Sequence, residues 1–212
     1  MIFISISKVE VKGSILTQKM NISESFKTFY ETNFCLTDFV LVSSNGTEFP
    51  CHKIVLAARS EVFSNMFKHN TTKEAIEGRV EIQDACSEDL QAMIKYLYTD
   101  QVTEDSCSIG LLGLAEKYML NHLKSKSLTI MMTSITEENC VQMFLAGFVY
   151  NSEELKMAAF KTIRQHWESL RSSEEMLNLE TQYPKASLEI TNNFASMSNI
   201  EHENRIKIAK QL

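Results

Sequence analysis

Cys51 and His52 are neighbouring residues whose types could supply a nucleophile and its base. A cysteine nucleophile needs an imidazole that faces its sulfur. Adjacent side chains at a junction between a strand and a helix point apart, so the sequence favours a His52 that caps a helix or is buried. The sequence contains no Gly-rich phosphate loop, no hydrolase motif and no CxxC pair. We therefore expect no enzyme activity, no cofactor and no metal site.

Asp38 and Lys53 are a second pair that could do chemistry, because both flank apolar stretches. A buried carboxylate and a buried ammonium must be paired, since each costs several kcal/mol when it is left alone. Two interpretations stay open. The pair could form a charged pocket at an interface, or it could be a structural ion pair.

A hairpin and a series of helices must position these residues. Residues 38–43 predict a strand, Asn45-Gly46 predicts a tight turn, and residues 47–51 predict the returning strand, with Pro50 at an end or an edge. A polar loop is expected over 68–78 and a short strand over 79–82, and beyond Pro184 we expect a loosely packed tail. Apolar periodicity predicts helices over about 52–59, 60–67, 87–97, 108–120, 122–132, 136–148 and 151–167, with a last one after Ser173.

The segment 21–33 predicts a helix with an unusually wide apolar stripe. Ile22, Phe26, Phe29 and Tyr30 follow helical spacing. Large apolar patches on small domains usually mark interfaces, so we expect this helix to bind another chain. Residues 2–11 alternate like a strand, which needs a sheet or a partner to pair with.

Charge and hydropathy exclude several classes of partner. The net charge is −6, and no stretch is dense in Lys and Arg, so we expect no nucleic-acid binding. No apolar run is long enough to cross a membrane, and the first residues lack the features of a secretory signal. We expect a protein of the nucleus and/or the cytoplasm.

Five blocks of sequence resemble the BTB/POZ family in order and spacing. They are residues 36–42 (LTDFVLV), 48–67 (EFPCHKIVLAARSEVFSNMF), 79–82 (RVEI), 94–100 (IKYLYTD) and 114–118 (LAEKY). The speckle-type POZ protein group is the most similar subgroup, and residues 136–166 resemble the helical hairpin called the 3-box, the start of a BACK-like extension. The substrate-reading MATH domain of that group is lacking here.

The resemblance implies an α+β fold, in which a small sheet flanked by helices is followed by helical hairpins. It divides the chain into a strand or linker remnant (1–19), a BTB/POZ domain (20–132), a 3-box/BACK-like extension (133–190) and a weakly structured tail (191–212).

The resemblance also implies two interaction sites. One is a homodimer or heterodimer interface with related BTB proteins, for which the candidate residues are Ile15, Met20, Ile22, Phe26, Phe29 and Tyr30. The other binds cullin-3, the scaffold of a ubiquitin ligase, and its candidates are Phe67, His69, Thr72, Lys73, Glu74, Ile76, Tyr118 and Asn121. Thr72 stands where the family has a hydrophobic residue, and Ile76 could take its place.

The expected function is that of a dimeric adaptor subunit of a cullin-3 ligase, or of a modulator of one, with an unknown substrate protein. The alternative is a BTB oligomerisation module in transcriptional or cytoskeletal regulation, with no ligase role. An adaptor needs the 3-box hairpin, whereas the alternative does not.

Overall fold

A computed structural model gives the fold of residues 22–32, 35–68 and 73–195. Four of the residues with a predicted role lie outside these ranges, as does the predicted strand over 2–11. They are Ile15, Met20, His69 and Thr72.

A three-stranded sheet lies at the centre of the first part of the chain. The strands β1 (Phe39–Ser43), β2 (Glu48–Cys51) and β3 (Arg79–Ile82) are arranged in the order β2-β1-β3. β1 and β2 form the predicted antiparallel hairpin, and Gly46 in its turn has a φ of 84°. β3 pairs with β1 in parallel. β2 is an edge strand, which accommodates Pro50 without losing a bond of the sheet.

Helices make up most of the remaining chain, so the predicted α+β class is confirmed. The first seven are α1 (Ile22–Thr32), α2 (Lys53–Arg59), α3 (Glu61–Lys68), α4 (Lys73–Glu77), α5 (Ser87–Thr99), α6 (Ile109–Lys117) and α7 (Asn121–Thr133). The next four are α8 (Cys140–Val149), α9 (Glu153–Gln165), α10 (Trp167–Leu170) and α11 (Glu174–Gln182), and α12 covers residues 184–195.

Two helices begin after a residue whose side chain caps them. The Sγ of Cys86 accepts the N–H of Asp89 at 3.4 Å at the start of α5, whereas Ser87 donates its hydroxyl to the Oδ1 of Asn45 at 2.8 Å. At α9 the hydroxyl of Ser152 accepts the N–H of Leu155 at 3.3 Å.

Two segments that were expected to be irregular contain helix. The polar loop over 68–78 includes α4, and the prediction of a loosely packed tail after Pro184 is wrong for residues 184–195. Ala186 and Ile190 on α12 are buried, and the ring of Phe194 lies 4.7 Å from that of Trp167, so α12 completes a core. α8 begins at Cys140, later than the predicted 136, since residues 137–139 form a turn.

Three apolar cores organise the described residues. The first surrounds the sheet and is built by β1–β3, α2, α3, α5, α6 and α7. The second lies among α8, α9, α10, α11 and α12. The third, which we name the seam cluster, consists of the buried residues Leu112, Met131, Ala146 and Leu155, from α6, α7, α8 and α9. The seam cluster joins the sheet-containing part to the helical extension through continuous packing.

Candidate protein-interaction surfaces

The Cys51–His52 junction is a structural site. The Nε2 of His52 lies 2.6 Å from the carbonyl oxygen of Cys35, and its Nδ1 lies 2.8 Å from the hydroxyl of Tyr98. A carbonyl oxygen only accepts, so Nε2–H donates to Cys35, and a neutral ring then accepts the Tyr98 proton at Nδ1. The Tyr98 oxygen in turn accepts the backbone N–H of His52 at 3.0 Å. Both nitrogens of His52 are therefore used in holding the residues before β1 and the helix α5 together.

The Cys51 thiol has no nucleophilic character in this setting. It is fully buried, and it donates to the carbonyl oxygen of Phe49 at 3.4 Å. Burial raises the pKa of Cys51 to about 12, against a smaller lowering by a hydrogen bond from the Leu41 backbone. At neutral pH the sulfur is protonated, and a protonated thiol is a poor nucleophile.

Asp38 and Lys53 meet through the backbone. The Oδ1 of Asp38 accepts the N–H of Lys53 at 2.8 Å, and this N–H is the first of helix α2. The Lys53 ammonium instead lies over two aromatic rings, 5.6 Å from the centroid of Phe39 and 5.8 Å from that of Phe67. Asp38 therefore acts as a helix cap supplied from another element, and Lys53 makes cation–π contacts.

Part of the α1 stripe packs inside its own chain. The ring of Tyr30 stacks on Tyr98 of α5 at 5.3 Å, and the ring of Phe29 lies 5.5 Å from that of His52. Both residues stay partly exposed. The side chains of Ile22 and Phe26 lie outside the described part of the structure, so their place in an interface stays a prediction.

An apolar groove of about 380 Å³ opens beside Phe29, and we name it the α1 groove. Leu36 and Ile54 on its walls are 88% and 77% exposed, which is unusual for aliphatic side chains of this size. Sequence reasoning missed both. Leu36 lies in a non-repetitive segment with a φ of 63°, and Ile54 lies on the outer face of α2, so neither gives a periodic signal. The groove is lined by Ser25, Phe29, Leu36, His52, Ile54 and Val55.

A stack of aromatic rings contains two of the predicted cullin-3 residues, Phe67 and Tyr118. Tyr118 lies face to face with Phe63 at 4.5 Å and 7°, Phe63 stacks on Phe67 at 6.1 Å, and Phe67 meets the edge of Phe39 at 4.9 Å. The hydroxyl of Ser60 donates to the carbonyl oxygen of Tyr118 at 2.7 Å. Tyr118 is only 4% exposed, so its predicted role in binding a partner would be to position its neighbours.

Two exposed apolar side chains follow α3 and α6 along the chain. Ile76 on α4 is 72% exposed, and Met119 is 54% exposed in a turn where its φ is 54°. Asn121, the exposed first residue of α7, borders a polar groove of about 340 Å³. The Arg59–Asp100 ion pair contributes both partners to that groove. Ile76, Met119 and Asn121 are three exposed residues that the predicted cullin-3 contact would use together, and we name them the α4–α7 surface.

The structure describes the remaining candidates of this surface in part. Glu74 is half-buried on α4, and Lys73 begins that helix, although its side chain lies outside the described part of the structure. Met119 was missed by sequence reasoning, because methionine in a short turn gives no pattern.

The buried ammonium of Lys156 holds two helices of the extension, α9 and α12, together. Lys156 on α9 is 8% exposed, and its Nζ lies 2.7 Å from Glu153 and 2.6 Å from Glu189 on α12. Burial lowers the pKa of Lys156, but the hydrogen bonds to Glu153 and Glu189 outweigh it, so the pKa is raised. Lys156 therefore stays charged and ties α12 to α9.

Metal binding and membrane insertion are two further properties to consider for residues 22–32, 35–68 and 73–195. Within these ranges no three His, Cys, Asp or Glu side chains are grouped so that they could hold a metal ion. None of the helices described there combines the length and the apolar character of a membrane span.

The family model of the BTB/POZ domain matches residues 26–135, which is just over half of the chain. A BTB/POZ domain-containing protein of Arabidopsis thaliana is 29% identical over 164 residues, covering 75% of this chain and 67% of the plant protein. Kelch repeat and BTB domain-containing protein 8 of Danio rerio is 29% identical over 160 residues, and the match covers 75% of this chain but 26% of that protein. The BTB domain of zebrafish PATZ1 superposes with a TM-score of 0.44 at 17% identity, covering 59% of this chain and all of that one.

Proposed function

The chain belongs to the BTB/POZ family, whose domain is a protein-interaction module, and we propose that it is a dimeric adaptor that binds cullin-3. The proposal uses the α1 groove for the dimer and the α4–α7 surface for the cullin. The single observation that carries it is that one domain exposes large apolar side chains both inside the α1 groove (Leu36 and Ile54) and outside it (Ile76 and Met119). We also propose that α8 and α9 are the 3-box of the speckle-type group, held against the domain by the seam cluster.

The α1 groove supports dimerisation because its exposed side chains are aliphatic and contiguous. Burial of apolar surface is worth roughly 25 cal/mol per Å², so covering Leu36, Ile54 and Phe29 on two subunits is strongly favourable. In a two-fold dimer the same patch is used by both subunits, so each of these contacts is made twice.

A charge placed in the groove tests the dimer. Ile54→Asp should give a monomer in size exclusion with light scattering, because a carboxylate would have to be buried at the interface. The matched control is Met157→Asp on α9, where the side chain is 53% exposed, and it should leave the dimer intact. A wild-type chain that is monomeric at tens of micromolar would contradict the interface.

Ile76 is the residue we assign to the apolar contact with cullin-3. Thr72 stands where the family has a hydrophobic residue, and Ile76, four residues later in the sequence, lies on α4 and is largely exposed. Loss of one large buried side chain costs ~1.5–3 kcal/mol, which corresponds to roughly a ten- to hundredfold weaker complex.

Calorimetric titration with the cullin-3 N-terminal domain tests this assignment. Ile76→Ala should weaken binding by roughly ten- to a hundredfold, whereas Leu188→Ala, at an exposed position on α12, should bind like the wild type. Replacing Thr72 by Met should leave Ile76 dispensable or strengthen binding. A dimer that shows no heat with cullin-3 at micromolar concentrations would favour the alternative, an oligomerisation module without a ligase role.

A further inference from the structure

The extension carries a groove that neither proposed interface uses. It lies between α8 and α11 and has a volume of about 150 Å³. An engineered cavity of about this size holds one benzene molecule, so the groove has room for a single large aliphatic side chain. Its apolar lining consists of Val141, Leu145, Leu179 and Tyr183.

The helix α11, which forms one wall of the groove, is acidic. α11 contains Glu174, Glu175 and Glu180 and has no Lys or Arg, and Glu175 itself lines the groove. Leu177 on the same helix is 54% exposed. An apolar groove beside an acidic helix fits a basic segment with aliphatic side chains.

The chain itself contains such a segment. Residues 205–212 read RIKIAKQL, so Arg205, Lys207 and Lys210 alternate with aliphatic residues, and no acidic residue lies among them. The segment lies outside the described residues, which end at residue 195.

The segment can reach the groove. α12 starts directly after Tyr183, a lining residue, and its twelve residues span ~18 Å at 1.5 Å per residue. The ten residues from 195 to 205 span up to ~33–36 Å when they are extended, which is enough to return along the whole of α12.

We propose that residues 205–212 bind in the α8–α11 groove of their own chain, with Ile206 or Ile208 inserted and the cations against the glutamates of α11. A tethered segment is present at a millimolar effective concentration, so weak contacts suffice to keep it bound. The proposal does not depend on the dimer or on cullin-3.

A charge exchange in the full chain tests the proposal. Arg205→Glu with Lys207→Glu should make the amides of α11 exchange with deuterium several-fold to about tenfold faster, because attraction becomes repulsion. Lys95→Glu with Lys161→Glu changes the net charge by the same amount at exposed sites elsewhere, and it should leave α11 unchanged.

Rescue distinguishes this contact from a general loss of stability. Adding Glu175→Lys and Glu180→Lys to the tail variant should restore the protection of α11, measured as a double-mutant cycle against the two glutamate changes alone. Equal exchange in the tail variant and the control would overturn the proposal. Protection that disappears on dilution would also overturn it, since the groove would then be filled by a second copy.

Discussion

Replacing Glu189 by Gln should loosen α12, because it removes one of the two carboxylates that hold the buried Lys156 ammonium. The Lys156 side chain is 10% exposed, that of Glu189 is 32% exposed, and that of Glu153 is 74% exposed. Glu189 is therefore the better shielded partner and contributes the larger share of the interaction.

The expected loss of stability depends on which charged groups remain after the substitution. Removing one partner of a fully buried ion pair costs ~3–5 kcal/mol. Glu153 remains after the substitution and Glu189 is partly hydrated, so we expect a lower cost of about 2 kcal/mol. Lys156→Met removes the charge and keeps most of the volume, and it should be close to neutral. The double variant should then resemble Lys156→Met alone.

The wild type, the two single variants and the double variant can be compared by thermal unfolding followed by Trp167 fluorescence. Trp167 is the sole tryptophan and its ring lies against that of Phe194 on α12. About 2 kcal/mol corresponds to a fall in Tm of roughly 4–8 °C for a chain of this size. Glu168→Gln removes an exposed partner of Arg171 and serves as the control, with a change below about 0.5 kcal/mol.

The pH dependence has a definite sign. A raised pKa means that the contribution of Lys156 is complete below the ordinary lysine pKa and is lost as pH rises through the higher folded-state value. The cost of Glu189→Gln should thus stay constant from about pH 6 to 9. A Glu189→Gln chain as stable as the wild type would refute the proposed role of the Lys156–Glu189 ion pair. A Lys156→Met chain that loses as much stability as Glu189→Gln would also refute it.

Three further outcomes follow from the packing. Gly147→Ala should lower stability by about 1–3 kcal/mol in urea unfolding, because a Cβ there would lie 2.8 Å from the backbone nitrogen of Lys156, whereas Gly113→Ala would meet only the hydroxyl end of Tyr150 and should cost less. Iodoacetamide at pH 8 should modify exposed Cys35 and spare Cys51, read by peptide mass, because burial raises the pKa of Cys51 to about 12. Since the unfolded thiol ionises near pH 9, Cys51 should also make the fold less stable as pH rises from 9 towards 12. Equal costs at the two glycines, or early labelling of Cys51, would contradict this packing.

Local patterns were sufficient to predict the hairpin and most helices. Asn45-Gly46 identifies the turn because few residues other than glycine tolerate the positive φ that Gly46 has there. Helix α11 begins after Ser173 as predicted, with that hydroxyl accepting the N–H of Met176 at 3.2 Å. The contacts of Tyr98 with His52, in contrast, could not be predicted from the sequence. They join positions far apart in sequence, so no local pattern reveals them.

The sequence of α12 contains a helical pattern that was too weak to predict the helix. Ala186, Ile190 and Phe194 have helical spacing, yet the intervening Ser, Thr and Asn residues are poor helix formers. Packing against α9 and Trp167 decides the conformation there, as tertiary contacts often do for a marginal helix. Exposure is equally hard to read from sequence, because Ile54 and the buried Val55 are neighbours on one helix that differ only in the face they occupy.

The seam cluster has a practical consequence for dissecting the protein. Leu112 and Met131 fall within the matched family region, which ends at residue 135, while Ala146 and Leu155 fall beyond it. Cutting the chain at that family limit would divide one core between two fragments and leave each with bare aliphatic side chains. Point substitutions in the intact chain can assign a binding defect to a surface, whereas a deletion there would mix lost contacts with lost folding.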